Sequence, residues 1–548
     1  MKLQKNEIYR VKITDLSFEA LGIGKVNGMV VFVANAVIGD DLMVQVVKVL
    51  RNYAYGIIRE IVAPSPDRVQ PSCAVSSKCG GCSLQAMTYQ SECRFKWKRV
   101  DDCMKRIGGT SCPVSPLVPA DQIQHYRNKA QYPIAKQNGK IVSGFYAPRS
   151  HHVIASGYCQ LHPPIFSEIL EAFLEFLEMY EIEPYQSDTG KGTIRHLYLR
   201  QSSLDHSILV CVVSSAAGFP FEEKLAPFLT ERFSEIIGIV VNWHPEKNNV
   251  ILGKDNRLLY GTGELEDVLA GVRLRLSPNS FYQVNHAQTE KLYQIAKQFA
   301  LTASANDVLL DLYCGVGSIG LSMADCFHRV IGVESVPEAI ENAKYNAKMN
   351  QIDSAEFYCM DATQAAQRCL TQQMRPDVVI LDPPRKGCSS DVIASVARME
   401  PKRIVMISCN PATCARDLAV FKLQGYVEEK IVPVDLFPRT VHVETCCLLE
   451  REIINNNEIE YMHVDYEPKD AEYLKGIKGS ATYAEIKAWI KEQYNVSVSS
   501  LYIAQCKDAC GFEKRENFNT GAEGHRVPNC SEEKRELIMK AFKHFKMI

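Results

Sequence analysis

Asp382, Cys409 and Glu444 carry the chemical reading of this 548-residue chain. Cys409 stands in Ser408-Cys-Asn-Pro411, directly after the apolar run Ile404 to Ile407. Asp382 stands in Leu381-Asp-Pro-Pro-Arg385, after the run Val378 to Leu381. Upstream, Asp311-Leu-Tyr-Cys-Gly-Val-Gly317 reads as a strand entering a glycine turn. In an open α/β sheet, ligands and chemistry gather at the carboxyl ends of the parallel strands. A nucleotide-like cofactor, a carboxylate and a cysteine nucleophile are therefore expected in one crevice. A thiol beside a methyl donor points to alkylation of a pyrimidine ring carbon.

The glycine turn admits two cofactors. Gly315-Val-Gly317-Ser-Ile-Gly320 also satisfies the dinucleotide pattern, and Glu334 follows where a ribose-binding acid belongs. A nicotinamide-dependent redox enzyme is thus one reading. Two acids favour S-adenosylmethionine. Asp311 precedes the glycines, placed to meet a methionine amino group, and Asp361 ends the β-type run Ala355 to Met360, within reach of an adenine amine. Asp382 before two prolines resembles the motif of adenine amino-methyltransferases, but Arg385 replaces their stacking aromatic. Asp382 can instead accept from a uracil N3–H, or merely cap a helix.

Uracil C5 is a poor nucleophile, and a thiolate adding at C6 converts the ring to an enolate whose C5 can attack. A strand-to-helix turn at Cys409 is expected to place the thiol near a helix N-terminus that lowers its pKa. The C5 proton must then leave. Val441-His-Val-Glu444-Thr offers Glu444 as the base, with His442 as the alternative.

A separate cluster reads Cys73-x5-Cys79-Gly-Gly-Cys82. Four thiolates hold an iron–sulfur cluster or a structural zinc, and spacing alone leaves Cys93, Cys103, Cys112 and Cys159 as candidate fourth ligands. The chain holds 20 cysteines. With no apolar export segment at the N-terminus, metal binding or catalysis is their expected use rather than disulfides. Cys211, Cys326, Cys359 and Cys369 read as buried hydrophobes.

The elements that must position these groups follow from pattern. Residues 1–62 carry short β-type runs (Ile8–Ile13, Met29–Val33, Leu42–Val49, Tyr55–Ile61), with turns read at Gly22-Ile-Gly24, Asn27-Gly28 and Gly39-Asp40. This predicts a five-stranded OB-like barrel. With eight Lys/Arg against six Asp/Glu, its charge alone does not argue for RNA. Residues 63–265 read as a central α+β domain with the thiol cluster, and a helix over 90–108, bearing the basic stretch Arg94 to Arg99, is expected to pack on the catalytic domain. Residues 266–452 alternate strand and helix, hence a Rossmann-like sheet. Residues 460–548 read as a small α-rich extension: Thr482-x-x-Glu485 caps one helix and Ser499–Cys506 makes a second. That pattern fits a helix–turn–helix RNA module or a plain packing module. Cys506, Cys510, His525 and Cys530 are a candidate zinc set by residue type, although their spacing matches no common zinc pattern. A net charge of −2 and 46% hydrophobic residues describe a globular chain with no global nucleic-acid signature. Its longest apolar run is about half the ~20 residues of a membrane helix. A cytoplasmic monomer without membrane contact is expected.

Together these residues resemble the RNA 5-methyluridine methyltransferases, in particular the branch acting on 23S ribosomal RNA. The resemblance runs from residue 1 to about 452. It implies an N-terminal TRAM domain that binds RNA, S-adenosylmethionine as methyl donor, and a [4Fe–4S] cluster on Cys73, Cys79, Cys82 and Cys159. Phe281-Tyr-Gln283-Val-Asn matches a motif whose aromatic lies by the target base and whose glutamine contacts the cofactor. Tyr313, Gly315, Ser318, Glu334, Asp361 and Asp382 fall at further cofactor positions; Ser318 stands where many members have Asn. Asp382 also serves the base, Cys409 matches the nucleophile and Glu444 the proton acceptor. The tRNA-modifying branch is expected to resemble only the catalytic half, without TRAM domain or cluster, which favours 23S ribosomal RNA. A tRNA uracil-5 methyltransferase and an iron–sulfur dinucleotide-dependent oxidoreductase are the alternatives.

Overall fold

The computed structural model describes residues 3–302, 304, 307–452, 483–499, 502–503, 506 and 532–545. Two compact units are present, Met1–Ile453 and Ile454–Ile548.

The first unit begins with a six-stranded sheet: β1 (Ile8–Lys12), β2 (Asp15–Leu16), β3 (Gly22–Val26), β4 (Met29–Val33), β5 (Asp41–Val49) and β6 (Tyr53–Ala63), in the order β1-β5-β6-β4-β3-β2. The reading of Gly22-Ile-Gly24 as a turn is corrected here, because these residues form β3. A Cβ on Gly22 would come within 2.6 Å of Ala36 Cβ, and one on Gly24 within 2.3 Å of Val11 Cγ1. The glycines let β3 pass close over its neighbours, a use of glycine in strands that looks like a turn signal in sequence.

Helix α1 (Tyr89–Cys103) continues through a π-helical turn to Gly108. Val100, Cys103 and Met104 join the same buried cluster as the catalytic sheet, so the helix does pack there. The basic stretch is only partly a surface feature. Lys96 is fully buried, with its ammonium 2.8 Å from Glu92 and 2.7 Å from Asp435. A buried charge needs such partners.

The central sheet comprises β7 (Lys129–Gln137), β8 (Lys140–Tyr146), β9 (Val153–Ala155), β10 (Ile194–Gln201), β11 (Ile208–Ser214), β12 (Ile236–Trp243) and β13 (Asp255–Gly261). Their order is β13-β12-β11-β10-β7-β8-β9, and α2 (Pro164–Met179) and α3 (Glu222–Thr230) cover the core. Arg200 on β10 pairs in register with Lys129 on β7.

A hairpin, β14 (Leu265–Leu269) and β15 (Val272–Leu276), and α4 (His286–Ala300) lead into the catalytic sheet. There β16 (Val308–Leu312), α5 (Ser318–Ser322), β17 (Arg329–Glu334), α6 (Pro337–Met349), β18 (Ala355–Cys359), α7 (Ala362–Thr371), β19 (Val378–Leu381), α8 (Ser390–Arg398), β20 (Arg403–Ser408), α9 (Pro411–Lys422), β21 (Tyr426–Val434) and β22 (Glu444–Arg451) follow. The order is β18-β17-β16-β19-β20-β22-β21, with β16 to β20 parallel and β22 antiparallel to both its neighbours. The strand order reverses between β16 and β19, which opens a crevice at their carboxyl ends. Because β22 runs the other way, its first residue reaches that same end: Thr445 pairs with Ser408.

In the second unit, α10 (Tyr483–Tyr494) and α11 (Glu532–His544) enclose a small core that includes Ile486, Ile490, Ile538 and Phe542. Most of the helix expected over Ser499–Cys506, together with Cys510, His525 and Cys530, lies outside the described residues. Among the described residues no helix is long and apolar enough to cross a membrane.

Candidate active site

The crevice is a cavity of about 760 Å³. Phe281, Gln283, Tyr313, Gly315, Glu334, Asp361, Asp382, Cys409 and Glu444 all line it, so nearly every residue singled out for catalysis or cofactor contact converges. Six of them arrive from strand ends: Tyr313 after β16, Glu334 closing β17, Asp361 after β18, Asp382 after β19, Cys409 after β20 and Glu444 opening β22. Phe281 is 66% exposed, an aromatic left open at the cavity wall.

Two residues expected at the cofactor, Ser318 and Asp311, stand behind the cavity wall. Ser318 does not line the cavity; its Oγ lies 2.8 Å from the buried Tyr293 hydroxyl. Asp311 is fully buried, and its Oδ2 accepts from Gly320 N–H at 3.0 Å. It braces the glycine turn from beneath, while its Oδ1 has no hydrogen-bond partner among the described residues. Burial, with Asp382 and Glu334 nearby, pushes its carboxyl up to about 8.

The cofactor side fits S-adenosylmethionine. The turn runs through positive φ at Tyr313 (73°), Gly315 (55°) and Gly317 (83°). A Cβ added at Gly315 would meet no atom within 4 Å, so the backbone there is open to a close-lying ligand. One oxygen of Glu334, Oε1, accepts from Ser335 N–H (2.6 Å), Ser335 Oγ (2.9 Å) and Val336 N–H (3.0 Å), which fixes the carboxylate and leaves Oε2 for a ribose hydroxyl. Asp361 caps α7 by accepting from Thr363 N–H at 2.8 Å, which lowers its pKa and keeps it an acceptor.

The reacting side is tuned by burial. Asp382 rises to about 7 through desolvation. Glu444 rises to about 8 through desolvation and the neighbouring Asp382. Cys409 does precede a helix, with Asn410 capping α9 by accepting from Ala412 N–H at 3.2 Å. The expected lowering of its pKa is nonetheless overturned. Burial, then Glu444, push the thiol up to about 11, more than Arg385 recovers. His442 is pushed down to about 4 by burial and Arg385, whose Nη2 lies 3.5 Å from its Nε2. Lys129, Lys386 and Phe437 also line the cavity, and sequence reasoning missed them. Lys129 comes from the central sheet, about 180 residues before the glycine turn, so no local motif reveals it.

Cys73, Cys79, Cys82 and Cys159 line a second, separate pocket with Arg127. Cys93, Cys103 and Cys112 do not reach it. Burial raises the Cys79, Cys82 and Cys159 thiols, Cys82 to about 11, and the four repel one another if ionised. Arg127 Nε has no hydrogen-bond partner there. Among the described residues no group of three or more His, Cys, Asp or Glu side chains is gathered tightly enough to hold a single metal ion. The donor chemistry, four thiols beside the Arg127 guanidinium, suits an anionic thiolate-ligated cluster.

Comparison with known proteins fits this geometry. A tRNA (uracil-5-)-methyltransferase family model matches residues 246–452, and a TRAM domain model matches residues 2–58. An uncharacterized RNA methyltransferase of Clostridium tetani is 38% identical over 447 residues, covering 82% of this chain and 97% of its own length. The chain belongs to the RNA (uracil-5-)-methyltransferase family. One from Listeria monocytogenes is also 38% identical, covering 82% of this chain and 98% of its own. The crystal structure of the Pyrococcus abyssi tRNA (uracil-54, C5)-methyltransferase with S-adenosyl-L-homocysteine is 28% identical with a TM-score of 0.66. It covers 80% of this chain and 99% of its own. This family member is therefore an S-adenosylmethionine-dependent RNA methyltransferase, and the dinucleotide alternative falls away. The Pyrococcus enzyme also counters the expectation that tRNA-acting relatives resemble only the catalytic half.

Proposed function

We propose that this enzyme methylates C5 of a uridine in 23S ribosomal RNA, with Cys409 as nucleophile and Glu444 as base. The observation that carries the reading is the meeting of Cys409, Asp382 and Glu444 in one cavity with the cofactor-side residues Gln283, Tyr313, Gly315, Glu334 and Asp361. S-adenosylmethionine, held by those residues, supplies an electrophilic methyl group. Phe281 stacks on the base and Asp382 accepts from N3–H. The Cys409 thiol gives up its proton and Sγ bonds to C6, which makes C5 nucleophilic. After C5 is methylated, Glu444 takes the C5 proton, the C5–C6 double bond reforms and Sγ leaves.

The likeness to the Pyrococcus enzyme supports tRNA as a second substrate reading. Mapping 5-methyluridine in ribosomal and transfer RNA from cells lacking this protein decides between them. We expect loss of the modification at 23S sites; loss confined to tRNA overturns the ribosomal reading, and loss from neither overturns both.

We further propose a [4Fe–4S] cluster on Cys73, Cys79, Cys82 and Cys159, with Arg127 as counter-charge. Anaerobically purified protein is expected to be brown, with about four irons per chain. Cys159→Ser should remove the colour, and Cys93→Ser or Cys103→Ser should not. The thiol pocket shares no lining residue with the catalytic cavity. Loss of the cluster should therefore weaken RNA binding more than cofactor binding. A colourless protein of full activity overturns the assignment.

A further inference from the structure

We infer that Lys129 donates to O4 of the target uracil and holds the negative charge that forms there when Cys409 adds to C6. The inference rests on the uracil-C5 reading and adds a substrate contact to it.

The position is built, not incidental. Asn128 N–H donates to Val284 O at 2.9 Å and its side-chain amide to Gln283 O at 3.0 Å. Arg127 bridges Asn285. Arg200, the cross-strand neighbour of Lys129, is buried and donates to Ser277 O (3.0 Å) and Ser280 O (2.7 Å). The central sheet thus clamps the segment bearing Phe281 and Gln283 on both sides of Lys129, and Lys129 lines the cavity beside them. Its amine has no carboxylate or carbonyl partner among the described residues, and burial with Arg200 and Arg127 holds it down to about 7. An amine donor kept without an anion in a catalytic cavity is placed for a charge that the reaction brings.

The chemistry of the base shows which charge. Asp382 and Glu444 offer acceptors when ionised, so a uracil bound at N3–H and C6 still needs donors for its carbonyl oxygens. Arg385 faces His442, and Gln283 is assigned to the cofactor side. As Sγ bonds to C6, the C5–C6 π pair shifts to C4–C5 and the C4–O4 pair moves onto O4. When C5 takes the methyl group the C4–O4 double bond returns. Removal of the C5 proton by Glu444 puts the charge on O4 again, until it expels Sγ. Lys129 donates a hydrogen bond at both stages, and no net proton transfer to O4 is required.

The test uses the full chain, S-adenosylmethionine and 23S transcripts made with 5-fluorouridine. Lys129→Ala should slow adduct formation at saturating RNA by about 10²–10³-fold, the usual effect of deleting one oxyanion donor. RNA affinity should stay within about threefold, since the contact strengthens only as charge develops. Lys129→Arg keeps a donor and should recover to within about tenfold of wild type. Calorimetric binding of S-adenosylhomocysteine confirms that the variants fold. Weakened RNA affinity and a shallower salt dependence, with an unchanged rate at saturation, would instead make Lys129 a phosphate contact and overturn the inference. So would an unchanged rate and affinity, or an arginine variant as slow as the alanine one. If wild-type protein forms no adduct, the uracil reading itself fails and Lys129 falls with it; an adduct at equal rate in wild type and Lys129→Ala sinks Lys129 alone.

Discussion

Cys409→Ala should abolish the covalent adduct between this enzyme and 5-fluorouridine RNA, and with it all methylation of ordinary RNA. Fluorine at C5 cannot leave as a proton does, so addition and methyl transfer proceed while elimination is blocked, and the complex survives denaturing gels. The loss should be complete, because no other group in the cavity has the nucleophilicity to replace a thiolate at C6. The structure adds a condition. With its thiol at about 11, Cys409 is only ~10⁻⁴ ionised at pH 7 in the ligand-free cavity. A neighbour must therefore take its proton as the base enters. Asp382 and Glu444, at about 7 and 8, are matched to that task, whereas His442 at about 4 is too weak a base. An adduct that persists in Cys409→Ala would move the nucleophile elsewhere in the cavity.

The catalytic sheet was legible because its parallel strands β16 to β20 are short runs that lead into residues with a chemical task. Val378–Leu381 matches its predicted bounds, and the cavity collects Asp382, Cys409 and Glu444 as their places at strand ends imply. What escaped is what depends on distant neighbours. Gly22 and Gly24 look like turn residues until the strand passing beside them is known. Cys409 at a helix start looks activated until its burial and the proximity of Glu444 are seen. Lys96 reads as part of a surface basic stretch, yet its partner Asp435 is 339 residues away. Asp311 and Ser318 sit in the expected motif, yet that Asp311 Oδ2 accepts from Gly320 N–H and Ser318 Oγ meets the Tyr293 hydroxyl could not be read from it. Lys129 carries no motif at all, only a position in the central sheet.

Glu444→Gln separates the first half of the reaction from the second. Replacing the carboxylate by an amide removes a charge that raises Cys409, so addition to C6 should not be impaired while Asp382 remains to accept the thiol proton. Methyl transfer to C5 follows, but the C5 proton then has no base. Ordinary RNA should accumulate as a methylated covalent complex, and release of free product should fall by about 10²–10⁴-fold, the usual contribution of a positioned general base. The pH dependence carries a second signature. Burial raises Glu444 to about 8, so its basic form is the minor one at pH 7 and the major one above 8. Product release by wild type should thus rise with pH up to about 8 and level off above it. Asp382 is close enough that the limb belongs to the carboxylate pair rather than to one member. In Glu444→Gln that limb should disappear from the release step. A base at His442 would give a limb near 4 instead, because burial and Arg385 hold its imidazolium there. Free methylated product at the wild-type rate, with or without such a limb, would remove Glu444 from the mechanism and leave His442 or a water molecule to take the C5 proton.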